Sequence, residues 1–531
     1  MVLSNAGAQW NADTLLRTRV CRYGALGQGE PQICWSDSGT TLVFWQDIRN
    51  TSSIWGQRLD SDGFLLWDSV GVNAVSSLDQ YPADDLQALS DGNGGAYLFY
   101  RQNSNVRAQR MDKNGNKLWG VNGILVRGDV PFTIFGDLSG VLAGDGSLIL
   151  TWRKYQTGNA IEAQKLDPSG AFLWGTQGIL VSPSSETPGT LHTKIVDDGG
   201  AGAFVLWGRQ TDSTHVQHLD ASGMLSYTWP VSLDINTSAH YIDLSIDGAG
   251  GVYVTGRRPN QGVPELRLWR INAQGEHLYS NQGMNMTDVP VSPAEIETLP
   301  DGEGGVIVCW IDVSSDSKVK TMRVNDQGAQ VWGSAPIVLC TDGSYKLNLA
   351  LATDSANGAY AAWTDDRYGS FTFFGQHVSG IGSVQWESQG HAICTAPMLG
   401  SNFEETAFTM VGKLGTPIIA WTDSRTSEDL YRVYATDLIE IGSTSLVEDR
   451  TNGRDLLVYP NPTAGTVYLD LHGNDHKTVV DVLDMSGRIV HHSVVSSTGI
   501  ASITLEAGAG TYVFRVAQDR TIAYERVVLT E

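Results

Sequence analysis

Short runs of alternating hydrophobic and polar residues fill most of this sequence, and they end at turns rich in glycine, asparagine and aspartate. Residues 84–126 show the arrangement clearly, with runs at 84–89, 95–101, 106–111 and 117–126. A period of two over a few residues is typical of β-strands with one buried face, and the glycine-rich turns between the runs favour hairpins. The pattern therefore predicts an all-β protein built from units of four strands.

The unit repeats along the first 440 or so residues. Its skeleton is Gln, a cation, an aliphatic residue, Asp, two spacers, Gly, three spacers and an aromatic residue, as in residues 109–119. The turn glycines run from Gly63 to Gly382 at intervals of 52 to 55 residues. The aromatic residues of the seven copies are Trp67, Trp119, Trp174, Tyr227, Tyr279, Trp332 and Trp386. Four strands in about 50 residues is the size of one blade of a β-propeller.

A second signature indicates the number of blades. The second run of each unit ends in Trp, Tyr or Gly followed by Asp or Arg, and this signature occurs eight times, the last at Trp421. Only seven complete turn segments accompany it, and residues 7–10, which end in Trp10, fit no other place in the repeat. We expect residues 7–10 to supply the missing last strand and to close an eight-bladed β-propeller; an open solenoid or two smaller propellers are the alternatives.

The recurring aromatic residues are interpreted as structural. A blade must bury its face against its neighbour, and a large aromatic side chain is well suited to fill that interface. Because the same residue recurs in nearly every unit, with Trp10 as the eighth copy, it is a poor candidate for a local binding or catalytic site.

The repeat ends near residue 438. Residues 439–455 are polar and lack alternation, which is typical of a linker. Short alternating runs resume at residues 456–531 and predict a small immunoglobulin-like β-sandwich. The predicted domains are a propeller at 1–438, a linker at 439–455 and a sandwich at 456–531.

The C-terminal segment resembles the type A sorting domain of the type IX secretion system of Bacteroidetes and their relatives. The residues that carry the resemblance include Tyr459, Pro460, Asn461, Pro462, Gly465, Gly487, Gly510, Tyr512 and Arg526. The family often has Lys where Arg526 stands, and this difference keeps the positive charge. The resemblance implies export through this secretion machinery and cleavage in the linker by its sortase-like peptidase. The protein is then expected to be secreted or displayed on the outer-membrane surface of a Gram-negative bacterium, although no signal peptide is visible in this chain.

The charge balance narrows the range of partners. The chain has 35 Lys and Arg against 58 Asp and Glu, a net charge of −23. An acidic surface repels phosphate backbones, so nucleic acid is not expected as a partner. No apolar run approaches the ~18 residues that a membrane span needs. A glycan or a surface protein remains as a candidate ligand.

Candidate chemistry is sparse. Paired residues such as Asp47 and Arg49 at the ends of the Trp-containing runs are interpreted as structural, since catalytic residues rarely repeat in every blade. Turns such as residues 91–95 could offer oxygen ligands to calcium, but too few acidic positions are present, and no metal or other cofactor is predicted. The five cysteines are scattered; only Cys21 and Cys34 are close enough to suggest a disulfide, and the alternative is that all five are buried and unpaired.

Two functions from different classes fit these observations. The leading hypothesis is an exported binding or scaffold protein, because the repeat is even and no catalytic set stands out. The alternative is an extracellular hydrolase or lyase that acts on polysaccharide in the propeller funnel, where two carboxylates could act together. Whichever holds, a local function is expected where the units differ.

Overall fold

The computed structural model describes residues 10, 17–21, 27–37, 39–49, 52–76, 83–128, 134–155, 160–182, 193–208, 213–227, 230–235, 241–258, 264–287, 291–314, 317–395, 408–413, 416–423, 432–438, 457–459, 463, 465–470, 477–484, 489–496, 500–505, 507–518 and 521–530. The predicted linker, residues 439–455, lies outside this set. Two compact units are distinguished, Gly7–Ile439 and Glu440–Glu531 together with Met1–Ala6. The boundaries predicted for the propeller, the linker and the sandwich remain predictions.

The described residues form β-strands and no helix, as the alternating pattern predicts. The strands of the first unit are β1 (Thr18–Arg19), β2 (Gln28–Asp37), β3 (Thr40–Asp47), β4 (Ser53–Leu59), β5 (Val72–Val75), β6 (Ala83–Ser90), β7 (Ala96–Gln102), β8 (Asn105–Met111), β9 (Ile124–Arg127), β10 (Ile134–Leu142), β11 (Leu148–Tyr155), β12 (Ala160–Leu166), β13 (Ile179–Leu180), β14 (Lys194–Asp197), β15 (Ala203–Gly208), β16 (Thr214–Leu219), β17 (Val231–Leu233), β18 (Ile242–Ile246), β19 (Val252–Arg258), β20 (Glu265–Ile271), β21 (Met284–Asn285), β22 (Pro293–Pro300), β23 (Val306–Asp312), β24 (Lys318–Val324), β25 (Ile337–Cys340), β26 (Lys346–Thr353), β27 (Ala359–Asp365), β28 (Thr372–Val378), β29 (His391–Cys394), β30 (Phe408–Lys413), β31 (Thr416–Asp423) and β32 (Arg432–Asp437). The second unit contains β33 (Leu457–Tyr459), β34 (Thr466–Asp470), β35 (Lys477–Asp484), β36 (Ile489–Ser496), β37 (Ile500–Thr504), β38 (Gly510–Gln518) and β39 (Thr521–Leu529).

The first unit consists of four-stranded antiparallel sheets that follow one another along the chain. Strands β2 to β29 form seven of them, each from four consecutive strands, and the eighth has the order β1-β32-β31-β30. We number the sheets 1 to 8 in this order. The arrangement is consistent with a propeller-like fold.

Contacts between the sheets run in a cycle. The first strand of each sheet contacts the first strand of the next, in the order β2, β6, β10, β14, β18, β22, β26, β30 and back to β2. Buried apolar clusters lie between successive sheets, including one that joins sheet 8 to sheet 1. The first strands therefore surround the centre of the unit. Apolar contacts between the faces of neighbouring sheets hold the sheets together.

The strand that completes sheet 8 comes from the N-terminus, but from residues other than those expected. Thr18 pairs with Ala435 and Arg19 with Tyr434. Trp10 is not part of a strand, and residues 7–9 lie outside the described residues. Instead, Trp10 packs on the turn glycine Gly63 of sheet 1 and donates a hydrogen bond from its indole N–H to the Ser61 carbonyl at 2.7 Å.

Trp10 thereby occupies the same place as the aromatic residues of the other sheets. Six of those, all except Trp386, stand against the turn glycine of the following sheet: a Cβ built on Gly170 would lie 3.1 Å from Nε1 of Trp119, and one on Gly223 would lie 2.9 Å from the Trp174 ring. The Trp119 indole also donates to the Pro168 carbonyl at 3.3 Å. These glycines have φ near +80° to +90°, a conformation that glycine adopts without strain.

The Gln and Asp of the repeat shape this turn. Asp112 Oδ1 accepts the backbone N–H groups of Asn114 and Asn116 at 2.8 Å, which closes the turn. Gln109 Oε1 accepts the Trp119 N–H at 3.0 Å, and its amide donates to the Gly120 carbonyl at 2.6 Å. Lys117 still bridges Met111, and the Leu118 N–H donates to the Arg110 carbonyl. Because the backbone of Trp119 bonds to a side chain instead, residues 119–123 leave the ladder, and the fourth strand is β9 at Ile124–Arg127 rather than the longer run expected at 117–126.

The cation of the repeat joins neighbouring sheets. Arg110 donates to Asp91 of its own sheet at 2.8 Å and, through Nη1, to the Pro168 carbonyl of the next sheet at 2.8 Å. Arg270 and Arg323 make the equivalent pairs with Asp247 and Asp301. The skeleton recognised in the sequence is thus a set of contacts between sheets.

The second unit has two sheets around one core. Strands β33-β34-β37 form one sheet and β36-β35-β38-β39 the other, and apolar residues from both, such as Val467 and Phe514, share a buried cluster. The five cysteines of the chain are all free and buried, so Cys21 and Cys34 do not form a disulfide. Among the described residues, no helix is long and apolar enough to span a membrane.

Replacement of Trp119 by Ala should lower the free energy of unfolding by about 3 to 5 kcal/mol, because it empties the interface between sheets 2 and 3 and removes a hydrogen bond. Chemical denaturation of the full chain measures the change. Trp119 is 6% exposed, whereas the adjacent Leu118 is 46% exposed. Leu118→Ala is therefore the matched control; an equal effect of both changes would contradict the packing role of Trp119.

Candidate functional site

The centre of the first unit is the place where the sheets differ most in charge. In each sheet, one residue of the first strand pairs with a particular residue of the second strand. That second-strand residue is the one immediately before the recurring Trp, Tyr or Gly. The first-strand residues at this position in sheets 1 to 8 are Gln32, Gln87, Ser139, Lys194, Asp243, Glu297, Ala350 and Thr409. We call these residues the central layer. Its three charged members are consecutive, so sheets 4, 5 and 6 break the symmetry of the repeat.

Two of these charged residues form an ion pair between neighbouring sheets, and the third, Glu297, directly precedes a residue that hydrogen-bonds to that pair. The Lys194 ammonium donates to Asp243 Oδ1 at 2.7 Å. Asp243 Oδ2 accepts the backbone N–H of Thr298 at 2.7 Å and its hydroxyl at 2.8 Å. Both oxygens of Asp243 are therefore engaged, and this carboxylate is fixed between sheets 4 and 6.

Electrostatics separate the two carboxyl groups of the cluster. Burial, with added repulsion from Asp243 and Glu295, raises the pKa of Glu297 above its usual range, and the positive charge of Lys194 only partly opposes this shift. For Lys194, burial disfavours the charge, but the carboxylates of Asp243 and Glu297 outweigh it and raise the pKa. The cluster thus holds a charged pair beside a carboxyl group that gains a proton easily.

Acidic residues recur near the start of the first strands. Five of these strands contain a β-bulge, and the bulged residue has positive φ although it is not glycine: Glu30, Asp85, Asp137, Glu295 and Asn348, with φ between 47° and 54°. Such residues store backbone strain, which is common near functional sites. The strands β14 and β18, which carry Lys194 and Asp243, pair without a register shift.

Two of the four bulged acids, Asp85 and Asp137, pair with an arginine on the second strand of their sheet. Arg153 pairs with Asp137 at 2.8 Å, and the Tyr155 hydroxyl donates to the same carboxylate at 2.6 Å. Arg101 lies 3.3 Å from Asp85. The charges of Asp85 and Asp137 are therefore balanced from within their own sheets.

The Asp and Arg pairs at the ends of the second strands are internal. Asp47 and Asp365 are fully buried, and each binds an arginine two residues further on, Arg49 or Arg367, at 2.6 Å. Burial opposes the ionisation of Asp365, but hydrogen bonds from Arg367 and Ser344 lower its pKa to about 2. These pairs brace the connection between the second and third strands, in agreement with the structural interpretation.

The turns considered for calcium use their oxygens within the protein. Asp91 Oδ1 accepts the N–H groups of Asn93 and Gly95, and Oδ2 accepts from Arg110. In the part of the chain that the structure describes, no group of three or more His, Cys, Asp or Glu side chains could hold a metal ion. His215 stacks on Trp207, whereas His218 binds Asp198 at 2.9 Å, so these two histidines have separate surroundings.

The sequence-predicted residues lie away from the central layer. Seven of the recurring aromatic residues, Trp10, Trp67, Trp119, Trp174, Tyr227, Tyr279 and Trp332, pack on the turn glycine of the following sheet. Trp386 packs within sheet 7, near Tyr360 and His377. Both groups belong to the interfaces and sheets of the first unit, not to its centre.

The sorting-signal residues lie in the second unit. Tyr459 is in β33 opposite Tyr468, Gly465 accepts the Leu505 N–H, and Arg526 is in β39 opposite Val513. Gly510 begins β38, and the Tyr512 hydroxyl donates to the Gly508 carbonyl at 2.7 Å. Pro460, Asn461, Pro462 and Gly487 lie outside the described residues.

Sequence reasoning missed the central layer. Lys194, Asp243 and Glu297 occupy equivalent positions in three consecutive units, which an alignment on the first strands would have placed in one column. The alignment on the turn glycines concealed this, because the connections before the first strands differ in length. The available signal was a charged residue inside an otherwise buried strand.

Comparison with known proteins identifies the C-terminal segment. Residues 457–530 match the family described as secretion system C-terminal sorting domain, which confirms the resemblance to the type IX signal. The chain therefore carries a sorting domain that indicates secretion or display at the cell surface. The match leaves the first unit without a characterised family, and no curated protein matches the chain.

Solved structures resemble the chain only distantly. A protein of unknown function from Dyadobacter fermentans is 10% identical, with a TM-score of 0.35, over 79% of this chain and 96% of its own. An ulvan lyase of a polysaccharide lyase family is 10% identical, with a TM-score of 0.41, over 80% of this chain and 98% of its own. The fucose-specific lectin of Aleuria aurantia is 10% identical, with a TM-score of 0.30, over 60% of this chain and 97% of its own. Likeness at this level carries no activity over to the chain.

The raised pKa of Glu297 predicts a pH dependence of stability. The folded state favours the protonated carboxyl, so this contribution is complete below the ordinary glutamate pKa of about 4 and is lost as pH rises through the raised value. Glu297→Gln keeps the site neutral and should lessen the loss of melting temperature between about pH 5 and about pH 9. Glu387, whose side chain is 68% exposed, provides the control Glu387→Gln, which should follow the wild type. Parallel curves for all three proteins would contradict the assignment.

Proposed function

We propose that this chain is a secreted or surface-displayed binding or scaffold protein, in which an eight-bladed β-propeller is the passenger and a C-terminal immunoglobulin-like β-sandwich directs its export. Support for the propeller comes from the cycle of contacts between first strands and from the N-terminal strand in sheet 8. These contacts favour the closed ring over an open solenoid or two smaller propellers.

The export route supplies the first set of partners. The sorting domain points to the type IX secretion machinery and its sortase-like peptidase, with the outer-membrane surface or the medium of a Bacteroidetes-type bacterium as the destination. Cleavage would fall in the linker at 439–455. The passenger would then meet its own ligand, a glycan or a surface protein, outside the cell.

One observation carries the choice of binding over catalysis. The Asp243 carboxylate, the best-fixed acid of the central layer, accepts three hydrogen bonds from Lys194 and Thr298. A carboxylate held in this way is poorly placed to act as a nucleophile or base, because three of its about four lone-pair positions are already occupied. The proposed function needs no cofactor, and turns such as that of Asp91 are only weak candidates for calcium binding.

A specific observation supports the alternative, a polysaccharide hydrolase or lyase. Glu297 has a raised pKa and lies near the Asp243 carboxyl group, and enzymes that cleave glycosidic bonds use two carboxyl groups as acid and base. The alternative therefore names Glu297 as its proton donor.

The export assignment predicts the fate of a fusion protein. Residues 440–531 attached to a reporter with a signal peptide should bring it to the surface or the medium of a host that has a type IX system. The same fusion without residues 521–531 lacks β39 and should remain in the periplasm. Fractionation and immunoblotting measure the distribution; retention of the complete fusion in the periplasm would refute the assignment.

Incubation of the full chain with polysaccharides separates binding from catalysis. The binding proposal expects no new reducing ends and no unsaturated uronate with neutral or acidic polysaccharides. If chain cleavage occurs and Glu297→Gln abolishes it while the melting temperature is kept, the enzyme alternative replaces the proposal.

A further inference from the structure

Two sheets of the first unit share an unusually similar framework. In sheet 1, Arg49 binds Asp47 and stacks on Trp55 at 3.7 Å; in sheet 7, Arg367 binds Asp365 and stacks on Phe374 at 3.7 Å. The residue before the first strand accepts an equivalent backbone hydrogen bond in both sheets. The Ile48 N–H donates to the Gly27 carbonyl in sheet 1, and the Asp366 N–H donates to the Tyr345 carbonyl in sheet 7, both at 3.2 Å.

Exposed aromatic residues distinguish sheet 7 from sheet 1. Where sheet 1 has Gly27, sheet 7 has Tyr345, which is 52% exposed. The connection after Asp365 adds Tyr368, which is 64% exposed, and Phe371, whose ring lies edge-on to Tyr345 at 6.3 Å. We call Tyr345, Tyr368 and Phe371 the aromatic platform. Because sheet 1 builds the same framework without these rings, the platform is not a requirement of the fold.

A buried lysine holds the first loop of the platform in place. The Lys346 side chain is fully buried, and its ammonium donates to the carbonyls of Asp342 and Ser344 at 2.7 and 3.0 Å. It also lies 3.4 Å from the Asp365 carboxylate. The loop at 342–345 is therefore wrapped around a fixed charge, which sets the position of Tyr345.

The second loop is fixed to the first. Asp366 Oδ1 accepts the Tyr345 N–H at 2.8 Å, and the Gly369 N–H donates to the Asp366 carbonyl at 2.8 Å. Among the described residues, neither the Tyr345 nor the Tyr368 phenol forms a hydrogen bond. Two largely exposed tyrosine side chains are thus presented on loops held by hydrogen bonds, and such preorganisation lowers the entropic cost of binding.

The charges around the platform select its ligand. The positive groups of this region, Lys346 and Arg367, are buried in ion pairs, whereas Asp342 retains 34% of its side-chain surface. The carboxylates of Asp342 and Asp366 flank the rings, and the whole chain carries a charge of −23. An anionic ligand would be repelled, while sugar hydroxyls can bond to carboxylates and amino groups can also lie over tyrosine faces.

We propose that the aromatic platform of sheet 7 is a glycan-binding site for uncharged or amine-bearing sugars, in which Tyr345 and Tyr368 stack on sugar rings and Asp342 and Asp366 accept hydrogen bonds. Flat exposed rings on rigid loops suit the faces of sugar rings. The inference rests on the proposed binding function and names its ligand class and its place. It also separates that site from the central layer.

Calorimetric titration of the full chain tests the site with three oligosaccharides of similar length: a cello-oligosaccharide, a partly deacetylated chito-oligosaccharide and an oligoalginate. Tyr345→Ala and Tyr368→Ala should each weaken binding of one of the first two by about tenfold, because aromatic anchors carry much of the affinity of such sites. Tyr345→Phe keeps the ring and should bind within about threefold of the wild type. The oligoalginate should bind most weakly of the three.

Matched changes elsewhere control for exposure and for the shared framework. Ile48→Ala alters an equally exposed residue in the equivalent connection of sheet 1, and Tyr468→Ala removes an exposed ring from the second unit. Both should bind as the wild type does, and melting curves should confirm that all variants are folded.

Several outcomes would overturn the inference. Binding that survives both alanine changes would place the glycan elsewhere and leave the proposed binding function standing. Strongest binding of the oligoalginate, or of an oligolysine peptide in place of any sugar, would refute the ligand class. Binding of no oligosaccharide at all would refute the glycan site, while the reporter fusion would still decide the export assignment separately.

Discussion

The first unit depends on a contact between an aromatic side chain and the turn of the next sheet. A sheet of four short strands cannot bury its faces alone, so its stability comes from its neighbours. The aromatic ring covers the turn glycine, where any side chain would collide with it, and its N–H or O–H group satisfies a carbonyl of that turn. The Gln and Asp of the repeat hydrogen-bond to the backbone that carries the ring. The cation of the repeat joins its own sheet to the turn of the next sheet. Each recurring position of the repeat skeleton thus contributes to an interface between two sheets.

This explains why the sequence revealed so much of the architecture. An interface that recurs in each sheet leaves a recurring pattern, and the strands between the turns alternate because their faces pack in the same way. Trp10 fitted the pattern for the same reason, since it fills the equivalent interface at Gly63. The strand that completes sheet 8 is Thr18–Arg19, however, and its two residues carry no pattern at all. Their pairing is decided by distant residues and not by local alternation.

The candidate sites were harder to foresee, because they are departures from the repeat. Lys194, Asp243 and Glu297 come from three separate units and acquire meaning only when the first strands lie side by side. Lys346 illustrates the same limit: a lysine at a strand start normally suggests solvent exposure, yet here it is buried among carbonyls and Asp365. A sequence shows the rule of a repeat readily, whereas its exceptions need the register of the sheets.

The pairing of Thr18 with Ala435 also sets an order of folding. Sheets 1 to 7 consist of consecutive strands, so their ladders pair segments close in the sequence, and such local pairings form faster than distant ones. Sheet 8 joins segments more than 400 residues apart, so β1 has no partner until β32 exists. The sorting domain, residues 457–530, comes after that last strand in the sequence. A chain that ends before β32 therefore lacks both the partner of β1 and the sorting domain.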